Sequence, residues 1–422
     1  MCSFSPINTA VQRASWPSSW RACAEPTGSS WPMSTERECT STNTERALMS
    51  WFSAWAAPVS RPSPAAIFKA ACTRLPAPFP EAAPCSFWAP AISTPSVMTC
   101  SLSWPCAALP SAPLAPRTTM KVGGHAEWLL EPSSPDELCQ ALNAAREFEG
   151  PVRFLGGGAN LLVADGLLPG VVIACARLDR VFRPDGHEDG PAFDAPPEAL
   201  SRVAPPERSS DPRLVAWCGS SLPGLVRAAS DLGWAGLEGL VGVPGRLGGG
   251  VAMNAGGRWG DLWDVIESVR LLLTDGSVVD KQRDECQVGY RDAQLGGALV
   301  VGAVLRLTPD NRLAVKERMR QYLLEKKAVQ PVTESSSGCI FKNPDPELSD
   351  GRSAGRLIDD LGLKGLSRGA AQVSRLHGNF IINNGGAAAA DVLGLIEEVT
   401  RRVEDQSSVL LTREVRLWSA EG

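Results

Sequence analysis

Cys339 sits in the run Ser336-Ser337-Gly338-Cys339-Ile340-Phe341-Lys342-Asn343-Pro344, whose small residues predict a turn that exposes one proton-carrying side chain beside a lysine and an amide. A thiol with an ordinary pKa of about 8.5 stays mostly protonated at neutral pH and is a far stronger acid than an alcohol, so it suits general-acid chemistry. Two glycine-rich stretches lie upstream, Gly156-Gly157-Gly158-Ala159-Asn160 and Val243-Pro244-Gly245-Arg246-Leu247-Gly248-Gly249-Gly250, the second running on to Asn254-Ala255-Gly256-Gly257. Glycines let backbone N–H groups approach an anion with no side chain in the way. Neither stretch has the G-x-G-x-x-G or G-x-x-x-x-G-K-[ST] spacing, which disfavours a Rossmann or P-loop site. Each alone reads as a tight turn; two in one chain, each after an apolar strand-like segment, point to a bound pyrophosphate.

These groups have to be positioned within 422 residues, more than one core organises, so two or three domains are expected. With 41 Lys and Arg against 46 Asp and Glu, the balance argues against broad attraction to nucleic acid or anionic lipid and favours a small-molecule substrate. No apolar run reaches the roughly 18 residues of a membrane span and no secretory signal is evident, so a cytoplasmic protein without membrane insertion is expected. The 12 cysteines are scattered without paired spacing and are expected to be reduced thiols. His125, His187 and His377 make no metal-ligand spacing, and no metal is expected. No protein partner is inferable.

Met1 to Met120 holds one of the chain's 40 glycines, Gly28, but seven of the 13 tryptophans and seven of the 12 cysteines, without helical or strand periodicity. Residues 1–112 are therefore expected to be a disordered leader or an extension translated from a wrong start, with no assigned role. Ordered sequence is expected from about Pro113. Ser134-Pro135-Asp136-Glu137 reads as a capping box, and Leu138, Leu142 and Ala145 follow at helical spacing, predicting a helix to Glu147. Val152 to Leu155 reads as a strand ending in the first glycine loop, and Leu161 to Val163 as its resumption. Clustered prolines mark an irregular insertion over about 181–213, between two strands of one unit. Leu222 to Leu232 reads as a helix closed by Gly233, and Val265 to Leu273 and Ala298 to Leu307 as strands either side of a turn at Asp275-Gly276. In the last hundred residues Val392, Leu395, Ile396, Val399 and Val403 form one helix face, bracketed by strands at Phe380 to Ile382 and Val409 to Leu417, which predicts a small separate α+β domain.

Six motifs occur in one order: Thr118-Thr119-Met120-Lys121-Val122-Gly123-Gly124; Leu155-Gly156-Gly157-Gly158-Ala159-Asn160-Leu161-Leu162; Gly242-Val243-Pro244-Gly245 with Asn254-Ala255-Gly256; Tyr290-Arg291; Gly338 to Pro344; and Leu411-Thr412-Arg413-Glu414-Val415. Together they closely resemble the UDP-N-acetylenolpyruvoylglucosamine reductases, flavin enzymes of peptidoglycan precursor synthesis, from about Pro113 to Trp418. The resemblance implies an α+β fold: a two-subdomain FAD-binding domain of the vanillyl-alcohol-oxidase type over 113–312, then a smaller α+β substrate-binding domain over 313–422. It implies noncovalent FAD, its pyrophosphate held by Gly156, Gly157, Gly158, Ala159, Asn160 and Leu161 and by Pro244, Gly245, Gly248 and Gly249, with Asn254, Ala255 and Gly256 lining the flavin. NADPH is implied as co-substrate, and UDP-N-acetylglucosamine enolpyruvate as the sugar reduced to UDP-N-acetylmuramate.

Such a reduction needs a clamp on a developing enolate and one placed acid, which neither flavin nor NADPH supplies. The resemblance gives the substrate carboxylate to Arg291, whose guanidinium fork binds it bidentately. It gives Glu414 the polarising of that carboxylate and Cys339 the proton, where many relatives carry serine. A thiol there implies sensitivity to alkylation and oxidation. Tyr290, Lys342 and Asn343 are implied at the substrate, with Lys327 or its neighbour Lys326 at a second phosphate. His377 and Asn379 are read as ordering their loop. The 47 residues between Arg291 and Cys339 resemble the shorter form of the family, which lacks an extra substrate-closing loop. Two other readings stay open: an FAD-dependent alcohol oxidase of the same fold, and a nonenzymatic flavin-binding scaffold.

Overall fold

The computed structural model describes residues 104–184 and 211–421; most of the expected leader and most of the proline-rich insertion lie outside the described residues. The first subdomain holds β1 (Ala107–Pro113), β2 (His125–Glu131), helix α1 (Pro135–Glu147), β3 (Val152–Leu155), β4 (Leu161–Val163) and β5 (Leu167–Ala174). Its sheet has the order β1-β2-β5-β3, with β1 antiparallel to β2 and the rest parallel. Order thus begins ahead of Pro113. The sequence concealed β1 because only Ala112 on it is buried, leaving no alternation to read; pairing with β2 defines the strand.

Helix α1 starts as predicted, with Ser134 Oγ accepting the Glu137 N–H at 3.2 Å. The return arm of the capping box shifts by one residue: the Glu137 carboxylate accepts the Ser133 N–H at 2.7 Å. Leu138, Ala141, Leu142 and Ala145 then pack against Leu130, Val171 and Ile173. Each leucine so buried contributes about 1.5–3 kcal/mol, enough to fix the helix on the sheet.

The second subdomain contains β6 (Val181–Phe182), β7 (Arg213–Trp217), α2 (Leu222–Leu232), the short α3 (Leu247–Ala252), a small hairpin of β8 (Gly256–Gly257) and β9 (Gly260–Asp261), then β10 (Ile266–Leu272), β11 (Val278–Gln282) and β12 (Leu299–Arg306). Its antiparallel sheet runs β11-β10-β12-β7-β6, so the insertion does join two paired strands, β6 and β7. Gly233 closes α2 at φ 72°, a left-handed position suited to glycine. The Asp275-Gly276 turn joins β10 to β11, and not directly to the strand predicted at Ala298 to Leu307. Composition hid β11, since Asp280-Lys281-Gln282 is an exposed edge.

The C-terminal part begins with α4 (Arg312–Val329) and continues with β13 (Ser336–Cys339), α5 (Ala354–Asp360), β14 (Ser367–Arg368), β15 (Ala371–Val373), β16 (Phe380–Asn383), α6 (Ala389–Ser407) and β17 (Arg416–Trp418). Met319, Tyr322 and Leu323 of α4 pack on the core of the second subdomain, so this helix belongs physically with the elements before it. The antiparallel sheet β13-β16-β15-β14 carries α6, whose Val392, Leu395, Ile396, Val399 and Val403 are buried as their spacing predicts. The strand expected over Val409 to Leu417 does not join this sheet. Only Arg416–Trp418 is a strand, and it pairs parallel with β4 in the first subdomain. That return threads Leu411 to Val415 across the molecule, and the C-terminal core accordingly includes Met120, Val122 and Leu162.

Among the described residues no helix is long and apolar enough to cross a membrane, and no group of His, Cys, Asp or Glu side chains could hold a metal ion. Cys106, Cys175, Cys218, Cys286 and Cys339 are free, but Cys139 is disulfide-bonded, which corrects the expectation of thiols throughout. Spacing along the chain does not report such a pairing.

Candidate active site

The two glycine loops lie against each other. A methyl group added at Gly157 would come 2.8 Å from Gly245 Cα, and one at Gly245 would come 3.3 Å from Ala159 Cβ. Gly158 adopts φ +58° and faces the Arg117 carbonyl, where a Cβ would approach to 2.5 Å. Outward from this contact the backbone is bare: a Cβ at Gly249 would meet nothing within 4 Å, and one at Gly156 only Arg246 Cβ at 3.8 Å. A surface of peptide groups without side chains fits a dinucleotide pyrophosphate. Gly248 does different work: a Cβ there would come 2.9 Å from Cys218 Cβ, and its absence lets α3 seat on the sheet. Leu161 turns its side chain into the core.

Asn254 and Arg291 both take left-handed backbone angles, φ 44° and 58°, which cost a non-glycine residue free energy and recur at functional sites. They hold each other there. Arg291 Nη1 donates to the Asn254 carbonyl at 3.2 Å and Nη2 to the Gly256 carbonyl at 3.0 Å, while Asn254 Nδ2 reaches the Gly289 carbonyl at 3.4 Å. Arg291 Nε pairs with Glu414 Oε1 at 3.1 Å, and Asp261 Oδ1 lies 3.8 Å from Nη1. Of the five guanidinium N–H groups, three are used inside the protein; one on each terminal nitrogen remains.

Glu414 and Cys339 are brought to this arginine by neighbouring backbone. Glu414 N–H donates to the Ile340 carbonyl at 2.8 Å, Lys342 N–H donates to the Thr412 carbonyl at 2.9 Å, and Phe341 bridges to Arg413. Burial raises the Glu414 carboxyl above its usual range, opposed by Arg291 and Lys342. Burial, with the Glu414 carboxylate adding to it and Arg291 opposing, pushes the Cys339 thiol up to about 12. Thiolate is therefore scarce at neutral pH. Tyr290 is half exposed; burial, with Glu414 adding to it, raises its phenol, opposed by Arg291 and the Asn343 backbone. A neutral proton carrier thus stands beside an anchored cation with free donors, an arrangement able to hold a carboxylate and deliver a proton next to it.

The Cys339 turn is locked from behind by Asn379, 3 % exposed. Its Oδ1 accepts the Phe341 N–H at 2.9 Å and its Nδ2 donates to the Phe341 carbonyl at 2.8 Å; His377 Nδ1 in turn accepts the Asn379 N–H at 3.1 Å. Asn379→Ala strands two buried backbone groups and is expected to cost about 2–3 kcal/mol, read as a lower denaturation midpoint with unchanged slope.

Several candidates lie elsewhere or are already engaged. Lys326 is buried, with Nζ donating to the carbonyls of Gly239 and Val241 at 2.9 and 2.8 Å, so it is not free for a phosphate; Lys327 is exposed. Asn343 spends its Oδ1 on the Ala354 N–H at the start of α5. Sequence reasoning missed Asp261 and the hydroxyl of Ser337, which donates to the Leu161 carbonyl at 3.3 Å. The small-residue stretch after the second glycine loop was the one signal for the hairpin that carries Asp261.

A flavin-binding oxidoreductase is the class that this bare two-loop cradle and its adjoining acid and guanidinium define, and an FAD-binding domain family matches residues 126–281. The C-terminal domain family of UDP-N-acetylenolpyruvoylglucosamine reductase matches residues 330–418. The reductase of Geobacter metallireducens is 37% identical over 310 residues, covering 73% of this chain and 93% of that protein; the one of Deinococcus radiodurans is 39% identical over 312 residues, covering 72% and 94%. The crystal structure of the enzyme from Thermus caldophilus is similar at 34% identity and a TM-score of 0.56, over 74% of this chain and 98% of that one. The chain belongs to the UDP-N-acetylenolpyruvoylglucosamine reductase family and is an FAD-dependent oxidoreductase.

Proposed function

We propose that this protein is a cytoplasmic, NADPH-dependent reductase that converts UDP-N-acetylglucosamine enolpyruvate to UDP-N-acetylmuramate. The observation that carries the reading is the meeting of Arg291, Glu414 and the protonated Cys339 at one place, supplied by separate segments of the chain. Bound FAD supplies a two-electron hydride carrier that NADPH recharges. The backbones of Gly156 to Ala159 and of Pro244, Gly245 and Gly249 would hold its pyrophosphate, with Ala255 and Gly256 beside the flavin.

Arg291 binds the enolpyruvyl carboxylate through its two remaining N–H groups and stabilises the negative charge that spreads there once hydride reaches the methylene carbon. Cys339 gives its proton to the adjacent carbon, so that one hydride and one proton add across the double bond. Glu414 fixes the guanidinium through Nε and, when protonated, helps polarise the carboxylate. The family resemblance would give the diphosphate to Lys342 and Lys327 and the nucleotide-sugar side to Tyr290 and Asn343.

Anaerobic stopped-flow measurement tests the reading: flavin bleached by NADPH should recover its colour on mixing with the enolpyruvyl sugar. Recovery with dioxygen but not with the sugar would make the protein an oxidase and end the proposal. For the cradle, Gly157→Ala is expected to yield protein with most of its flavin lost, because a methyl 2.8 Å from Gly245 Cα forces the loops apart; absorbance of the chromophore released on denaturation measures it.

A further inference from the structure

Asn160 belongs to the first glycine loop, yet its carboxamide is turned away from the role its motif suggests. Nδ2 donates to the Glu414 carbonyl at 3.1 Å, and the Asn160 carbonyl accepts the Arg416 N–H at 3.2 Å. The next residues, Leu161 to Val163, pair in parallel with Arg416 to Trp418. Glu414 is therefore gripped through both of its backbone polar groups: its N–H goes to Ile340, next to Cys339, and its carbonyl goes to the flavin loop.

We infer that Asn160 is a positioning residue for Glu414, and through it for the Arg291 guanidinium, tying the flavin loop to the groups that handle the substrate. The inference rests on the function proposed above for those groups. The Asn160 side chain holds the Glu414 carbonyl directly, and the strand ladder holds the chain two residues further on at Arg416; removing the side-chain contact leaves the ladder, the Glu414 N–H bond to Ile340 and the glycine backbone in place. The fold and the cradle therefore survive, while the carboxyl that meets Arg291 Nε at 3.1 Å loses its register.

The experiment uses the flavin-loaded full chain as Asn160→Ala, Glu414→Gln and the double variant. With rates taken per bound FAD, Asn160→Ala is expected to slow electron transfer to the enolpyruvyl sugar about fivefold more than it slows flavin reduction by NADPH. In the Glu414→Gln background the same change should slow the sugar step by less than about twofold, because the group it positions is already altered. Independently of any substrate, amide hydrogen exchange over 411–416 should quicken in Asn160→Ala and stay unchanged over 152–155. Equal slowing of both half-reactions per bound FAD, full additivity with Glu414→Gln, or unchanged exchange at 411–416 would each overturn the assignment. If the parent enzyme ignores the sugar, the proposed reaction falls, and the exchange measurement still decides whether Asn160 holds Glu414.

Discussion

Cys339→Ala is expected to leave flavin reduction by NADPH nearly intact while slowing turnover of the enolpyruvyl sugar by about 10³-fold, the usual scale for removing a general acid. Two features set this split. The thiol lies in the segment bonded to the one that carries Glu414, and pushed up to about 12 it keeps its proton throughout the neutral range. An acid form that persists to high pH moves its own alkaline limb beyond pH 10, so the sugar half-reaction of the parent should show no loss attributable to Cys339 between pH 6 and about 9. Cys339→Ser also carries a proton at the same place and should retain substantial activity. Rapid-mixing traces of the two half-reactions measure all of this. Equal damage to both steps in Cys339→Ala would assign the residue to folding or FAD binding, and an inactive serine variant would give the thiol another purpose.

Arg291→Lys is expected to lower kcat/KM for the sugar by about 10²–10³-fold despite keeping the charge. Three of the five guanidinium donors are committed to Glu414, Asn254 and Gly256, and the remaining two leave from different nitrogens, a geometry that meets both oxygens of a carboxylate. An ammonium has three donors on one atom and cannot hold the three internal contacts and a bidentate substrate together. The loss should appear in both KM and kcat, since the ground-state carboxylate and the developing enolate use the same fork. The lysine keeps a positive charge but gives up the Nε hydrogen bond, so the Glu414 carboxyl loses one of the contacts that oppose its burial and should titrate higher, shifting any acidic limb of the profile upward. Unaltered KM in Arg291→Lys would remove the arginine from the substrate carboxylate.

What could be read in advance follows from how local each signal is. Helix α1 begins at a Ser-Pro pair and buries residues at helical spacing, α2 ends at a left-handed glycine, and α6 presents one apolar face; each is set by contacts within a turn or two of chain, so periodicity and caps suffice. Strand β1 and edge strand β11 were not legible, because exposed strands owe their form to a partner and carry no buried alternation. At the site, residue types survive in short motifs, and Cys339, Arg291 and Glu414 were each identifiable there.

Sequence by itself determined the bare glycine loops, the proton carrier beside Lys342, the arginine after Tyr290 and the glutamate before Val415. Tertiary structure alone decided what these residues touch: Lys326 is buried on two carbonyls, Gly248 packs on Cys218, and the last strand crosses to β4 and not to its own sheet. The Asn160 to Glu414 bond joins residues 254 positions apart, and no spacing rule encodes it. Hydrogen-bond partners are chosen by which unsatisfied groups packing brings within about 3 Å, and over such separations that choice belongs to the assembled core.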